Sequence, residues 1–162
     1  MKTIILNGSP RKNWNTALML KEAQKGAESV GAETEYIDLF DLAYTGCRSC
    51  LACKRKDAKR CKCFWKDDLS PVIDRIFAAD TLIIGSPIYL GDITSQVHGL
   101  IERLRFCTLS YDNYSNYCDP CQGCNGPDDH KPEFCAKFCG IILCQKRREN
   151  GYTYCDELRE TI

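Results

Sequence analysis

Two short apolar runs, Thr3-Ile4-Ile5-Leu6 and Thr81-Leu82-Ile83-Ile84, each break near a glycine and pass through a loop into an amphipathic stretch. Runs this short and this uniformly apolar suit strands covered on both faces, as in parallel sheets packed between helices. The repeat therefore restricts the chain to an α/β fold assembled from strand, loop and helix. After the first loop, Leu20, Ala23, Ala27 and Val30 recur at helical spacing, and Gly31 supplies the stop. Residues 33–39 alternate roughly and predict a second strand nearer the sheet edge. A helix is expected over residues 68–79, with Asp68 or Ser70 as its cap, Pro71 at a tolerated early position, and Val72, Ile73, Ile76 and Phe77 as its buried face. The run at 81–84 reads as a central strand. A helix over 94–105 presents Val97, Leu100, Ile101 and Leu104, a fourth strand follows at 139–144, and residues 154–161 start a last helix.

Both loops carry chemistry. Asn7-Gly8-Ser9-Pro10-Arg11-Lys12-Asn13-Trp14-Asn15-Thr16 gathers hydroxyls, amides and cations just before a helix whose first N–H groups need partners. Asn15 or Thr16 is the expected cap. It spells neither an ATP-type phosphate loop nor a dinucleotide turn, so it reads as a cradle for a single phosphate, the plain alternative being a turn. Gly85-Ser86-Pro87-Ile88-Tyr89-Leu90-Gly91-Asp92 offers a flat, partly apolar slot with backbone donors.

The 162 residues suffice for one domain with a sizeable core, expected to span 1–162 with cysteine-rich insertions at about 43–66 and 106–137. Lys+Arg and Asp+Glu both number 22, so nothing pulls the chain globally toward nucleic acid or membrane. No run approaches membrane-spanning length, and the first residues lack the apolar core of a secretory signal, which implies a cytoplasmic setting. There, 13 cysteines, an odd number, point to metal or redox chemistry rather than a disulfide scaffold. Cys47-x-x-Cys50-x-x-Cys53, followed by Cys61 and Cys63, has the spacing that lets thiolates converge on one centre, iron-sulfur or zinc. Cys118-x-x-Cys121-x-x-Cys124, with Cys135 and Cys139, repeats that spacing; a zinc staple is the leading reading, and His130 an alternative ligand. His98 reads as structural. Seven basic residues between 54 and 66 form a solvated face or a docking patch for an acidic electron carrier.

Gly8-Ser9-Pro10-Arg11 through Asn15-Thr16, the 47–53 cysteine motif ahead of Asp67-Asp68-Leu69, and the 85–92 loop come in the order seen in the flavodoxin-like NADPH-dependent FMN reductases and the iron-sulfur flavoproteins, which the chain resembles over roughly residues 1–111. The resemblance implies a doubly wound parallel sheet in a three-layer α/β/α fold. The chain ends about where a fifth strand would begin, which leaves open a four-stranded sheet, a truncated protein, or an edge completed by another subunit. It further implies FMN, with its phosphate on Ser9, Arg11, Asn15 and Thr16 and its ring against Pro87, Ile88, Tyr89, Leu90, Gly91 and Asp92. A [4Fe-4S] cluster is implied on Cys47, Cys50, Cys53 and Cys63, with Cys61 as the substitute fourth ligand and zinc as the rival metal. Expected partners are NAD(P)H or an acidic carrier such as ferredoxin, and further copies of the chain meeting along residues 103–111. A departure from the family is Trp14, where relatives often carry glycine. The implied activity is an FMN-dependent oxidoreductase passing electrons between a donor, FMN and an acceptor. Its alternatives are a cluster-free NAD(P)H-dependent FMN or quinone reductase and a zinc-stapled binding module.

Overall fold

The structure, a computed structural model, describes residues 1–55, 58–59 and 61–108, and the backbone of 140–144. Strand β1 (Lys2–Asn7) leads to helix α1 (Asn15–Ser29), β2 (Glu33–Asp38), α2 (Leu69–Ala78), β3 (Thr81–Ser86), α3 (Ser95–Thr108) and β4 (Gly140–Cys144). All pairings are parallel, in the order β2-β1-β3-β4, with Ile5 opposite both Tyr36 and Ile83, and Ile84 opposite Ile142. As the alternating pattern predicts, β2 lies at the edge and is only partly buried. Four strands are present among the described residues. The residues of the expected last helix, and any fifth strand, lie outside them.

Side chains leave alternate faces of a strand, so one strand feeds two cores. Ile4, Leu6, Leu82 and Ile84 pack on one side with Leu69, Val72, Ile73 and Ile76 of α2 and Val97 and Leu100 of α3. Ile5 and Ile83 pack on the other with Leu20 of α1. Helices thus cover both faces, the three-layer arrangement the sequence predicts. Each such aliphatic side chain stabilises the fold by about 1.5–3 kcal/mol relative to exposure. α1 closes on Gly31 in the left-handed region, with Gly31 N–H bonding the Glu28 carbonyl at 2.9 Å and Ala32 N–H that of Ala27 at 3.1 Å.

Three local expectations are corrected. α1 begins at Asn15 itself, so neither Asn15 nor Thr16 caps it; Trp14 holds the cap position and no side chain bonds there. At α2 the cap position is Asp68, yet the side chain that reaches the free N–H groups is that of Asp67, accepting from Leu69 and Ser70 at 3.2 Å each. Asp68 instead accepts the Ala43 N–H at 2.8 Å. α3 runs on to Thr108, so residues 106–108 belong to the helix and not to an insertion.

Just past the end of β1, the Gly8 N–H bonds the Gly85 carbonyl of β3 at 2.7 Å, which pins the first loop to the neighbouring strand. A Cβ on Gly8 would overlap Val97 Cγ2 and lie 2.9 Å from that carbonyl, so no other residue fits. Gly8→Ala is expected to lower unfolding stability by about 1–3 kcal/mol, the usual cost of overpacking. Adding Val97→Ala should recover part of the loss, and urea unfolding of the three variants checks both.

Candidate functional site

Parallel strands side by side deliver both loops to one edge of the sheet, the carboxyl edge at which open α/β sheets take ligands. In the first loop Asn7 donates through Nδ2 to Asp38 Oδ1 at 2.7 Å and accepts the Ser9 N–H on its own Oδ1 at 3.1 Å. The Ser9 hydroxyl in turn accepts the Arg11 N–H at 3.1 Å. Ser9 and Thr16 are buried, while Arg11 and Asn15 are exposed. The Arg11 guanidinium lies 4.5 Å from the centroid of the exposed Trp14 ring. Lys12 faces away in an ion pair with Asp41 at 2.6 Å. The start of α1, with no side chain on its N–H groups, opens beside these residues. Such a terminus favours an anion by geometry and by the helix dipole.

The second loop is a tight reversal in which Tyr89 and Asp92 exchange both backbone hydrogen bonds, at 2.7 and 3.0 Å. Leu90 and Gly91 at its tip have φ of 52° and 84°. Left-handed geometry costs a leucine about 1 kcal/mol or more, and Leu90 projects entirely into solvent. Tyr89, Gly91 and Asp92 are exposed, and Pro87 and Ile88 half-buried. Asp92 accepts the Ile93 N–H at 2.7 Å and pairs with His98 Nε2 at 3.0 Å; the first contact and then the second hold its carboxyl below the usual range. The two loops are laced by Thr94, whose hydroxyl donates to the Gly8 carbonyl at 2.8 Å and whose N–H meets Ser86 Oγ at 3.0 Å. Sequence reasoning missed Thr94 because a hydroxyl one residue before a helix looks like an ordinary cap. Cys144 pairs with Ser86 in register, which brings the end of β4 to the same edge.

FMN suits this edge on the chemistry of its donors. An uncapped helix start, two buried hydroxyl residues and an arginine gather in the first loop, groups suited to an anion, and an exposed apolar turn follows the neighbouring strand. All ten residues expected to bind it lie on these two loops or at the start of α1.

The 43–66 segment lies along α3. Tyr44 donates its hydroxyl to the Gln96 carbonyl at 2.6 Å, and burial of the ring raises the phenol pKa. The Cys47 N–H donates to Glu102 Oε2 at 3.1 Å, and Lys54 donates to the Phe106 carbonyl. Gly99 permits this approach, since a Cβ there would stand 3.2 Å from the Gly46 nitrogen. Ser49, Leu51 and Cys61 all have left-handed φ. Together with Leu90 they are the non-glycine residues of that kind among those described, and all sit in the two segments with candidate chemistry.

Arg103 is the residue the sequence placed wrongly. Expected on a subunit interface, its side chain is 2% exposed and lies inside the chain. It pairs with Asp67, donates to Ser70 Oγ at 2.7 Å and Cys63 Sγ at 3.0 Å, and reaches the Thr45 carbonyl at 3.4 Å. Burial opposes its charge, but Asp67 and then Cys63 outweigh burial and raise its pKa. Cys53 is half-buried, and Cys107 of α3, a cysteine that carries no motif spacing, is buried. Cys107 and then Lys54 draw Cys53 down to about 6 against burial, and Cys53 and burial push Cys107 up.

The five thiols of the segment have the right chemistry for iron or zinc, but their arrangement does not assemble a site. Among the described residues no three His, Cys, Asp or Glu side chains are gathered closely enough to hold a metal ion. Cys118, Cys121, Cys124, Cys135, Cys139 and His130 lie outside the described residues. Of the basic run, Lys62 pairs at the surface with Asp74 at 3.6 Å and Lys54 is turned onto Phe106, so part of its charge is engaged within the chain.

A three-layer fold of order 2-1-3-4, with two facing loops at its carboxyl edge, defines a flavodoxin-like α/β protein. Two solved structures share the fold: a flavone reductase (TM-score 0.51, 24% identity, covering 67% of this chain and 31% of that one) and a Streptococcus mutans protein (TM-score 0.53, 16% identity, 99% and 94%). The chain belongs to the NADPH-dependent FMN reductase family, whose model matches residues 1–151. It is 37% identical over 105 residues to an iron-sulfur flavoprotein of Methanocaldococcus jannaschii, covering 65% of this chain and 52% of that protein. To an iron-sulfur flavoprotein of Archaeoglobus fulgidus it is 36% identical over 109 residues, 67% and 51% of the two chains. The chain thus spans about half the length of the curated relatives it matches. Among the described residues no helix is long and apolar enough to cross a membrane.

Removing Arg103 leaves Asp67 as an unpaired charge, 11% exposed. Arg103→Ala is expected to cost about 3–5 kcal/mol. Arg103→Met with Asp67→Asn, which removes both charges, should cost clearly less than Arg103→Ala, as denaturant unfolding will show.

Proposed function

We propose that the chain is an FMN-dependent oxidoreductase of the iron-sulfur flavoprotein type, passing electrons from NAD(P)H or an acidic, ferredoxin-like carrier to an acceptor. The observation that carries this reading is the uncapped start of α1 held beside the exposed 87–92 turn by the Gly8–Gly85 and Thr94 hydrogen bonds. Family membership and the names of the relatives support it. Bound FMN would supply the hydride and electron chemistry. The chain's own part is to bind and orient. Ser9, Thr16 and the first N–H groups of α1 neutralise and position the phosphate, with Arg11 as the nearby cation and Asn15 as a further donor. Pro87, Ile88, Tyr89, Leu90, Gly91 and Asp92 form the wall for the ring and present backbone donors to its polar edge. A second copy of the chain would cover the apolar surface left by Trp14, Tyr89 and Leu90, each at least 48% exposed, which fits a homo-oligomer.

The double variant Arg11→Ala, Thr16→Ala tests the phosphate site. Loss of a charge-assisted hydrogen bond is worth about 1.5–3 kcal/mol, so FMN affinity should fall by about tenfold to a hundredfold. Unchanged affinity in a fluorescence titration overturns the assignment.

A [4Fe-4S] cluster on Cys47, Cys50, Cys53 and Cys63, with Cys61 as substitute, belongs to the same reading. Its support is the thiol spacing and the relatives' names; the thiols would have to be drawn together from their described positions, and no step is derived through the cluster. Iron and sulfide analysis after anaerobic reconstitution decides. Cluster lost in Cys63→Ser but kept in Cys61→Ser fits the assignment, the reverse moves the fourth ligand to Cys61, and a colourless zinc protein favours the zinc-stapled module.

A further inference from the structure

Two polar side chains at the carboxyl edge are enclosed: Asn7, the last residue of β1, is 0% exposed, and Thr94, just before α3, is 1% exposed. Thr94 answers the Gly8 carbonyl, and Asn7 stands in the middle of a hydrogen-bond series. Parallel register sets it directly opposite Asp38, the last residue of β2, and side chains paired across a ladder leave the sheet on the same face. Asn7 Nδ2 donates to Asp38 Oδ1 at 2.7 Å, Asn7 Oδ1 accepts the Ser9 N–H at 3.1 Å, and Ser9 Oγ accepts the Arg11 N–H at 3.1 Å. The series thus runs from the edge strand to the backbone of Arg11.

An amide has a donor end and an acceptor end, whereas the carboxylate of Asp38 can only accept. Asp38 therefore takes the Asn7 nitrogen and leaves Oδ1 turned to Ser9; the flipped amide would set oxygen against oxygen and N–H against N–H. The Gly8 N–H, the Gly8 carbonyl and the Ser9 N–H are all committed inward, to Gly85, Thr94 and Asn7. The Ser9 hydroxyl is the exception. Its oxygen is fixed by the Arg11 N–H, while its proton has only the Arg11 carbonyl at 3.4 Å, a long contact that a phosphate oxygen would displace.

We propose that Asn7, oriented by Asp38, is the positioning residue that makes this loop selective for a phosphate monoester, so that FMN is preferred to riboflavin through the Asp38–Asn7–Ser9 series. The inference rests on the flavin reading of the site and deepens it. Asn7 does not touch the ligand; it fixes Ser9 beside Thr16 and the start of α1. The sign of the Asp38 effect separates this role from simple electrostatics. A carboxylate near the loop repels a phosphate, so on charge alone the loss of Asp38 would tighten FMN binding. Acting through Asn7 it does the opposite: without Asp38 nothing orients the amide, and the phosphate meets a Ser9 that is no longer held in place.

The full chain, freed of bound flavin, is titrated with FMN and with riboflavin, and the ratio of the two dissociation constants is compared across Asp38→Ala, Asp38→Asn and Asn7→Leu. Riboflavin carries the same ring without the phosphate, so damage to the ring site shifts both constants together and leaves the ratio alone. Asp38→Ala is expected to lower the preference for FMN by about threefold to tenfold, the range of one hydrogen bond, and Asn7→Leu, which removes two, by about tenfold or more. Asp38→Asn keeps an acceptor for Asn7 Nδ2 without the charge, and should hold the preference at or above that of the unmutated chain. The inference is overturned if the preference is unchanged or rises in Asp38→Ala, or falls as far in Asp38→Asn. Asp38 is half-buried at the end of an edge strand, so its variants are expected to fold even where the enclosed Asn7→Leu does not, and the Asp38 pair then decides. An unmutated chain that binds neither flavin, or both alike, overturns the phosphate site itself; a preference that is present and does not move overturns this inference alone.

Discussion

The parallel ladder between β1 and β3 governs what this chain can do. Strands Lys2–Asn7 and Thr81–Ser86 pair residue by residue, and the ladder runs on past the end of the first strand in the Gly8 N–H to Gly85 carbonyl bond. Because the two are parallel, the loop that starts α1 and the loop that precedes α3 leave at one edge, side by side. An antiparallel pairing would send them to opposite ends and dissolve the site. The cost falls on side chains near the junction: Gly8 must stay bare beneath Val97, and Thr94 must supply a hydroxyl to the Gly8 carbonyl. The site is thus set by backbone geometry first and by its functional groups second.

A buried guanidinium makes the second constraint. Desolvating a full charge is tolerable only where a counter-charge and further hydrogen bonds answer it, and Arg103 collects these from the 43–66 segment and from the start of α2. An irregular segment that leaves the sheet layer would ordinarily be free to wander. Here it is tied to α3 at Gln96, Glu102, Arg103 and Phe106, positions that recur on one side of the helix.

Much of this was legible in the sequence. The apolar runs at 3–6 and 81–84 reveal central parallel strands because nothing else buries both faces of so short a segment. The edge position of β2 follows from its alternation, and the helix stop at Gly31 from a glycine placed where a left-handed residue closes the last turn. What stayed hidden has physical reasons. Capping depends on which residue starts the helix, and a shift of one position hands the role from Asp68 to Asp67. Arg103 sits in a charged stretch beside Arg105, where composition suggests an exposed surface and only tertiary packing reveals a buried ion pair. Cys107 belongs to no cysteine motif, and only the packing of α3 reveals that it is buried.

α3 joins the two regions. Its first turn carries His98, paired with Asp92 of the exposed turn, and follows Thr94, which holds both loops. Its later turns carry Glu102 and Arg103, which hold the cysteine segment. The helix is 14 residues long, about 21 Å at 1.5 Å per residue, and on its inner side Val97 and Leu100 are fully buried against the sheet. A close-packed element of that kind does not bend in response to small local forces. A change at either end, such as a ligand pressing on the 87–92 turn or a shift of the cysteine segment, therefore has to be taken up by the loops and not by the helix. The loops have the give for it: the left-handed residues Leu90 at one end and Ser49, Leu51 and Cys61 at the other hold backbone conformations that a modest rearrangement would relax.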